Sequence, residues 1–373
     1  MSKLKILDPA CGSGSFLIGA YQYLLDWHRD QYIDDGPEKW VKGRKPRLYQ
    51  VVGGGWRLTT DERKRILLNN IYGVDIDPQA VEVTKLSLLL KVLEDENSET
   101  IKKQLALFNE RVLPDLGNNI KCGNSLIGPD FYEGQQMSFL DEEEMYRINV
   151  FDWEAEFPEI INPINPPLEK GGKGGFDAVI GNPPYVRIKA MKEWAPLEVE
   201  FYKKLYVAAS KGNYDIYVVF VERALKLLGS KGRMGYIMPN KFFATDYGKE
   251  LRKIISERNA LACLVDFGHE QVFAKATTYT CLLFLSGSQL ASFEYAQVAP
   301  SPKILTANLG FEMHPSNLLS EKPWLFMSSS ETNLFTKLKQ NSIPLLKLPA
   351  TISRGSSSGN DKIFHVTTHI ITK

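Results

Sequence analysis

The sequence predicts an α/β fold built on a mostly parallel sheet, and three observations carry that expectation. Short apolar runs alternate with helical patterns along most of the 373 residues, the mark of strands connected through helices. A glycine-containing corner, Gly12-Ser13-Gly14, lies between the first apolar run and the first helical pattern. Hydrophobic residues make up 43% of the chain and charged residues 24%, the balance of an ordinary globular protein with enough apolar side chain for a sizeable core. That composition excludes disordered, collagen-like and disulfide-scaffold classes. At roughly 150 residues per domain the length predicts two domains.

The elements follow in order. Lys3–Asp8 (KLKILD) is a short buried strand. Gly14–His28 is a helix, because Phe16, Leu17, Ala20, Tyr21, Leu24 and Leu25 keep the three- and four-residue spacing of one face. Ile71–Ile76 is a second strand. Pro78 opens a helix that runs to Leu93, since proline at the first turn gives up only an N–H that has no helical partner. Further strands are expected at Ile120–Cys122, Phe176–Gly181, Gly235–Met238, Leu261–Phe267 and Thr278–Leu285, with helices at Ile216–Leu228 and Tyr247–Ser256. Tyr32–Trp56 reads as an inserted loop or subdomain within a basic insertion spanning residues 32–65. Residues 163–175 read as a flexible low-complexity loop, whose GGKGG lacks the earlier Gly and the following Ser/Thr of a phosphate loop. After Pro300 the α/β rhythm fades, and Arg354–Gly359 reads as a turn or linker.

Charge narrows the partners. The net charge is +1, so contact with a polyanion must come from local patches. Nine Lys/Arg stand against three acids between Pro37 and Arg65, whereas Glu133–Glu159 holds nine acids and a single base, Arg147. Solvated faces of both signs explain these runs equally well. The four cysteines, Cys11, Cys122, Cys263 and Cys281, have no C-x-x-C spacing and read as buried free thiols, with no metal site expected. No apolar run reaches the roughly 18 residues of a membrane span and no signal peptide opens the chain, so a soluble, cytoplasmic protein is expected.

Two motifs carry chemistry. In Asp8-Pro9-Ala10-Cys11-Gly12-Ser13-Gly14-Ser15-Phe16 the glycines let a ligand approach the backbone, and the helix start offers free N–H groups. The dinucleotide pattern G-x-G-x-x-G fails at Leu17. S-adenosylmethionine, whose methionine end lies over such a loop, remains. The second strand ends Gly73-Val74-Asp75-Ile76-Asp77-Pro78, where Asp75 can accept both ribose hydroxyls of an adenosyl group and Ile76 can cover one adenine face. Asp77 with Pro78 reads as a helix cap. The other motif is Asn182-Pro183-Pro184-Tyr185, directly after a strand. Its prolines stiffen the turn, and open α/β sheets bind ligands at strand carboxyl ends. The Asn182 oxygen and Pro183 carbonyl can each accept an N–H of an aromatic amine, while Tyr185 stacks on the ring, a contact worth about 1–3 kcal/mol. A second Asn-Pro-Pro, Asn165-Pro166-Pro167, has neither the strand nor the aromatic and reads as loop.

These residues together resemble a known family. The D-P-A-C-G-S-G-S-F loop, G-V-D-I-D-P, C-G-N-S-L at Cys122–Leu126 and I-G-N-P-P-Y-V at Ile180–Val186 are similar to the N6-adenine DNA methyltransferases of the gamma arrangement, and more narrowly to the methyltransferase part of type IIG restriction–modification enzymes. The resemblance implies a seven-stranded Rossmann-like methyltransferase sheet over residues 1–300, with a linker and the start of a target-recognition domain over 301–373. It implies S-adenosylmethionine as cofactor and double-stranded DNA with a flipped adenine as substrate. Asp8, Ala10, Gly12 and Gly14 match the methionine-binding loop, Asp75 and Ile76 the adenosine contacts, and Asn124 the acceptor for the cofactor's adenine amine, where many relatives carry Asp. Asn182, Pro183, Pro184 and Tyr185 match the catalytic motif. Tyr217 and Phe220 match the helix beside the cofactor, and Phe273 matches an aromatic that packs on the flipped base opposite Tyr185. The implied chemistry is direct transfer, with neither metal nor covalent enzyme intermediate required.

The sequence departs from its relatives at both ends. A cofactor-closing segment precedes the first loop in relatives, yet Asp8 stands near the start here. Ile352–Val366 looks like the opening of the recognition domain, and the chain ends at Lys373. The expectation is a catalytic core cut at both ends, with a nuclease or recognition module supplied by a longer chain or a separate subunit. Two alternatives stay open: a methyltransferase acting on RNA or on a protein glutamine, and a non-catalytic DNA-binding remnant.

Overall fold

The computed structural model describes residues 1–51, 53–94, 113–133, 142–162, 174–273, 278–301, 309–326, 329–343 and 347. The chain divides into two compact units, Met1–Leu325 and Phe326–Lys373. Of the stretches singled out in the sequence, residues 163–173 with the second Asn-Pro-Pro, Arg354–Gly359 and Ile352–Val366 lie outside the described residues.

The first unit is a nine-stranded sheet flanked by helices. Its strands are β1 (Ile6–Asp8), β4 (Ile71–Asp75), β5 (Ile120–Cys122), β6 (Phe176–Gly181), β7 (Leu228–Pro239), β8 (Leu261–Asp266), β9 (Thr280–Ser286), β10 (Ser292–Gln297) and β11 (Glu312–Pro315). β2 (Leu48–Gln50) and β3 (Trp56–Leu58) form a separate antiparallel hairpin. The order across the large sheet is β11-β10-β8-β9-β7-β6-β1-β4-β5. β9 runs antiparallel to both its neighbours and β11 antiparallel to β10, while the other pairings are parallel. The expectation of seven strands is therefore corrected to nine: β1 and β4 to β9 account for seven, and β10 and β11 extend the far edge beyond Gly287. The chain leaves β1 towards β4 and β5, then returns to place β6 on its other side. Such a change of direction opens a crevice at the strand carboxyl ends.

The principal helices are α1 (Ser15–Asp34), α2 (Thr60–Asn70), α3 (Pro78–Leu93), α4 (Glu142–Ile148), α5 (Ile188–Trp194), α6 (Pro196–Leu205), α7 (Tyr217–Leu227) and α8 (Lys249–Glu257). Asp77 caps α3 by accepting the Gln79 N–H at 2.8 Å, with Pro78 in the first turn. Such a cap contributes about 1 kcal/mol. α1 runs six residues past the expected His28, because Tyr21, Leu24, Leu25, His28 and Tyr32 keep one buried stripe through an otherwise charged stretch. β7 begins seven residues before the expected Gly235. Its first half, with Gly229, Gly232 and Lys231, is poor in strand-forming residues, and its pairing with β6 shifts register there. Leu17, Ile66, Leu67, Ile71 and Leu88 are fully buried where α1, α2 and α3 cover this half of the sheet.

Two expectations change. The four thiols are free, but only Cys11 and Cys281 are buried; Cys122 is exposed. The basic insertion is in part an internal scaffold. The Tyr32 hydroxyl donates to Glu62 at 2.6 Å, Arg47 donates to Tyr32 at 2.8 Å, and Arg65 holds Glu62 with two bonds. Arg63 is buried and donates to the carbonyls of Val92 and Glu94. Lys42, Arg44 and Lys45 are exposed. In the second unit, the helix Ser329–Gln340 exposes Leu334, Phe335 and Leu338. Among the described residues no helix is long and apolar enough to cross a membrane.

Candidate active site

Four strands end together at the change of direction. At the end of β1, Asp8 is buried and accepts the Ala10 N–H at 3.1 Å. Burial pushes its carboxyl up to about 7; the Ala10 hydrogen bond opposes that rise and the nearby Asp75 charge adds to it. The loop then turns through Gly12 and Gly14, both with left-handed backbones, at φ 52° and 81°. A Cβ on Gly14 would lie 2.9 Å from Thr84 Cγ2, so this position accepts only glycine. Thr84, on α3, in turn donates to the Gly12 carbonyl at 2.7 Å.

Asp75, at the end of β4, ties the neighbouring turns together. Its Oδ2 accepts the Gly12 N–H at 2.7 Å and its Oδ1 accepts the Asp77 N–H at 3.0 Å. After β5, Gly123 leaves room for the Phe151 ring, which a Cβ would meet at 2.5 Å. Asn124 is buried, with its backbone N–H on the Asn149 carbonyl at 2.7 Å. Its side-chain oxygen accepts the Leu126 N–H at 3.1 Å, and Tyr202 shares the cavity wall with it. The Ser125 hydroxyl donates back to the Pro9 carbonyl on the first loop.

β6 delivers Asn182-Pro183-Pro184-Tyr185. A Cβ on Gly181 would stand 2.6 Å from Asp8 Oδ1, so a glycine here lets the β1 and β6 ends close on each other. Tyr185 is half-buried. Its hydroxyl donates to the Ile237 carbonyl of β7 at 3.1 Å and its ring meets Tyr217 edge-on at 6.3 Å. Burial pushes its phenol well up. The segment after the motif is pinned to the start of α7: the Ile216 N–H donates to the Val186 carbonyl and the Ile188 N–H to the Tyr214 carbonyl, each at 2.9 Å.

These ends enclose a cavity of about 430 Å³, within the range of small-molecule sites. Ala10, Asp75, Ile76, Asn124, Asn182, Pro184 and Phe220 all line it. Asp8, Gly12 and Gly14 shape the loop beneath, and Tyr217 backs the wall as a fully buried side chain. Pro183, Tyr185 and the exposed Phe273 are not part of the lining. The residues present fit S-adenosylmethionine: apolar walls, a carboxylate at the second strand end, glycines under close approach, and acids that suit a cationic ligand. Among the described residues no three or more His, Cys, Asp or Glu side chains gather as a metal site.

Sequence reasoning missed the outer wall. Met191 and Trp194 of α5, Glu198 and Tyr202 of α6, and Arg147 of α4 all line the cavity. Arg147 and Glu198 form a two-pronged ion pair at 3.0 and 3.2 Å, and Arg147 also donates to the Trp194 carbonyl at 2.7 Å. The signal for Arg147 was its standing as the one base in an acidic run. Glu198, 51 positions away, carries no such mark.

Residues 69–273 match the Eco57I restriction-modification methylase family, and residues 1–111 match the N-6 DNA methylase family. The type II restriction enzyme and methyltransferase RM.Eco57I of Escherichia coli is 37% identical over 302 residues, covering 81% of this chain and 26% of that protein. The putative type II restriction enzyme and methyltransferase RM.MjaORFECS2P of Methanocaldococcus jannaschii is 24% identical, covering 91% of this chain and 35% of that protein. The chain thus spans between a quarter and about a third of the length of these two relatives. Among solved structures, a nuclease-deletion mutant of the Type ISP restriction-modification enzyme LlaGI in complex with a DNA substrate mimic aligns with a TM-score of 0.49 at 15% identity, covering 89% of this chain and 25% of that one.

Proposed function

The chain belongs to the Eco57I restriction-modification methylase family, and on that premise we propose that it is an adenine-specific DNA methyltransferase, moving a methyl group from S-adenosylmethionine to the N6 amine of adenine in double-stranded DNA. The observation that carries this reading is the convergence of Ala10, Asp75, Ile76, Asn124, Asn182, Pro184 and Phe220 on one cavity.

When bound, S-adenosylmethionine supplies an electrophilic methyl group. Asp75 has lone pairs left for ribose hydroxyls after accepting two backbone N–H groups. Ile76 and Phe220 cover the adenine of the cofactor, and Asn124 stands on the adjoining wall. The loop over Asp8, Ala10, Gly12 and Gly14 receives the methionine end. The target adenine is out of reach inside a duplex and must be flipped into the site. There the Asn182 oxygen and the Pro183 carbonyl accept the two amine hydrogens, drawing the nitrogen lone pair out of the ring towards the methyl group. Tyr185, its hydroxyl tethered to β7, offers its ring to the base, with Phe273 as the opposing aromatic. Catalysis rests on positioning and on hydrogen bonds that strengthen as positive charge develops on the amine. DNA is the partner, and a nuclease or recognition module comes from a longer chain or a separate subunit.

The test is nucleoside mass spectrometry of unmethylated DNA incubated with the chain and S-adenosylmethionine. N6-methyladenine should form, Asn182→Ala should abolish it, and calorimetry should show cofactor affinity of that variant nearly unchanged. Wild-type turnover in Asn182→Ala would sink the mechanism. Label appearing only in RNA or in a glutamine side chain would reassign the substrate.

A further inference from the structure

Resting on the methyltransferase reading above, we propose that Glu198 is the residue that reads the exocyclic amine of the cofactor's adenine, accepting one of its N–H bonds while Arg147 holds the carboxylate in place. Glu198 is 3% exposed, and what remains open of it faces the cavity. It lies on α6 four residues before Tyr202, hence on the same helix face. Tyr202 and Asn124 line the same cavity, so the Glu198 carboxylate opens on the stretch of wall where the adenine amine is expected. Asn124 itself is poorly placed to be the main acceptor. Its neutral oxygen already takes the Leu126 N–H at 3.1 Å, which leaves it one acceptor position against two on the charged Glu198 carboxylate.

Glu198 has the opposite character. Arg147 Nε donates to Oε1 at 3.0 Å and Nη2 to Oε2 at 3.2 Å, and among the described residues no other partner is seen. Each carboxylate oxygen carries two acceptor positions. One on each is taken by the guanidinium fork. The other two are left for a donor. Arg147 is itself braced by the Trp194 carbonyl at 2.7 Å, so the pair cannot swing away freely. An ion pair set into a cavity wall contributes little to stability compared with apolar residues of the same volume; a ligand that uses the carboxylate gives the arrangement a purpose.

An amine donor suits this carboxylate, whereas a 6-oxo purine would turn a carbonyl oxygen towards it. The test is calorimetric titration of the 373-residue chain with S-adenosylhomocysteine and with S-inosylhomocysteine, which differ at that one group. The unaltered chain should prefer the adenosyl ligand by roughly 10- to 100-fold, the worth of one hydrogen bond to a charged group. Glu198→Gln should bring the two affinities within about threefold of each other, because its amide can donate to the 6-oxo group as well as accept. A fall in both affinities by the same factor, leaving the preference intact, would show that Glu198 only holds the wall, and would overturn the proposal. So would a preference lost in Asn124→Ala but kept in Glu198→Gln. Should Glu198→Gln not fold, Glu198→Asp keeps the charge and withdraws it by one methylene; an undiminished preference there also overturns the proposal. If the unaltered chain binds neither ligand, the cofactor assignment itself fails, and this inference with it.

Discussion

Replacing Asp8 by Asn should remove a pH dependence built into the heart of the site. Asp8 is 2% exposed, and its carboxyl is raised from 3.8 to about 7, mainly by burial. In the unfolded chain the same carboxyl titrates at its ordinary value. Between about pH 4 and pH 7 the folded state therefore binds more protons than the unfolded state, so stability falls as pH rises through that window and levels off above it. The slope contributed by this one group is about 1.4 kcal/mol per pH unit, and the whole window amounts to roughly 4 kcal/mol. Asn keeps an oxygen for the Ala10 N–H but never ionises. The stability of Asp8→Asn relative to its parent should climb by that amount from pH 4 to pH 7, read from urea unfolding at half-unit intervals. Other carboxylates titrate in the same range, but the difference between the two proteins isolates this one. Under the proposed function a cationic cofactor above the loop would favour the ionised form. Binding at pH 7 should then release protons in the parent and none in Asp8→Asn, measurable from binding heats in buffers of different ionisation enthalpy. A stability difference that is the same at pH 5 and pH 7.5 would refute the burial account of Asp8.

Four further outcomes follow from the same structure. Gly181→Ala places a methyl group against Asp8 Oδ1 at a backbone φ of 152° and should destabilise by about 2–4 kcal/mol, seen as a lower Tm; an unchanged Tm would mean that the β1 and β6 ends can separate easily. Asp75→Ala removes the acceptor of two backbone N–H groups as well as the ribose partner, so cofactor affinity should fall at least tenfold by calorimetry, at about 1.5–3 kcal/mol for a hydrogen bond to a charged group. Charge reversal at the exposed Arg44 and Lys45 should flatten the salt dependence of DNA binding, whereas Arg63→Glu should lower Tm, because Arg63 is buried against the end of α3.

Much of the fold was legible because the strands around the site carry strong local signals. Ile120–Cys122 and Phe176–Gly181 form as expected, and Asp77-Pro78 announces the start of α3 by its chemistry. What escaped prediction lacks such signals. β10 and β11 lie beyond Pro300 or just before it, where short strands in polar surroundings show no clear alternation, and the first half of β7 is glycine and lysine held only by its neighbours. The cofactor corner was readable since glycines and strand-end acids sit close in sequence. The outer wall was not: Arg147 and Glu198 meet across 51 positions, and nothing local tells a buried pair from two solvated charges. The basic insertion was legible only in part, for the converse reason. A count of lysines and arginines cannot show that Arg47, Arg63 and Arg65 are spent on Tyr32, Glu62 and backbone carbonyls.

The position of β9 bears on how the molecule can come apart. Among the described strands, β9 alone pairs with both β7 and β8, and its seam with β7 runs from Arg233↔Ser286 to Pro239↔Thr280. The half of the sheet holding β8, β10 and β11 is therefore stitched to the cofactor half by one antiparallel seam formed late in the chain. Such a non-local pairing is slow to make, and it is a natural line along which a sub-global opening would run. Tyr185 hangs its hydroxyl on Ile237, a residue of that seam. An opening there would leave the cofactor cavity standing but strip one side of the strand that anchors the tyrosine. Amide exchange in β7 and β9 would then report on readiness to hold a base, separately from readiness to hold the methyl donor.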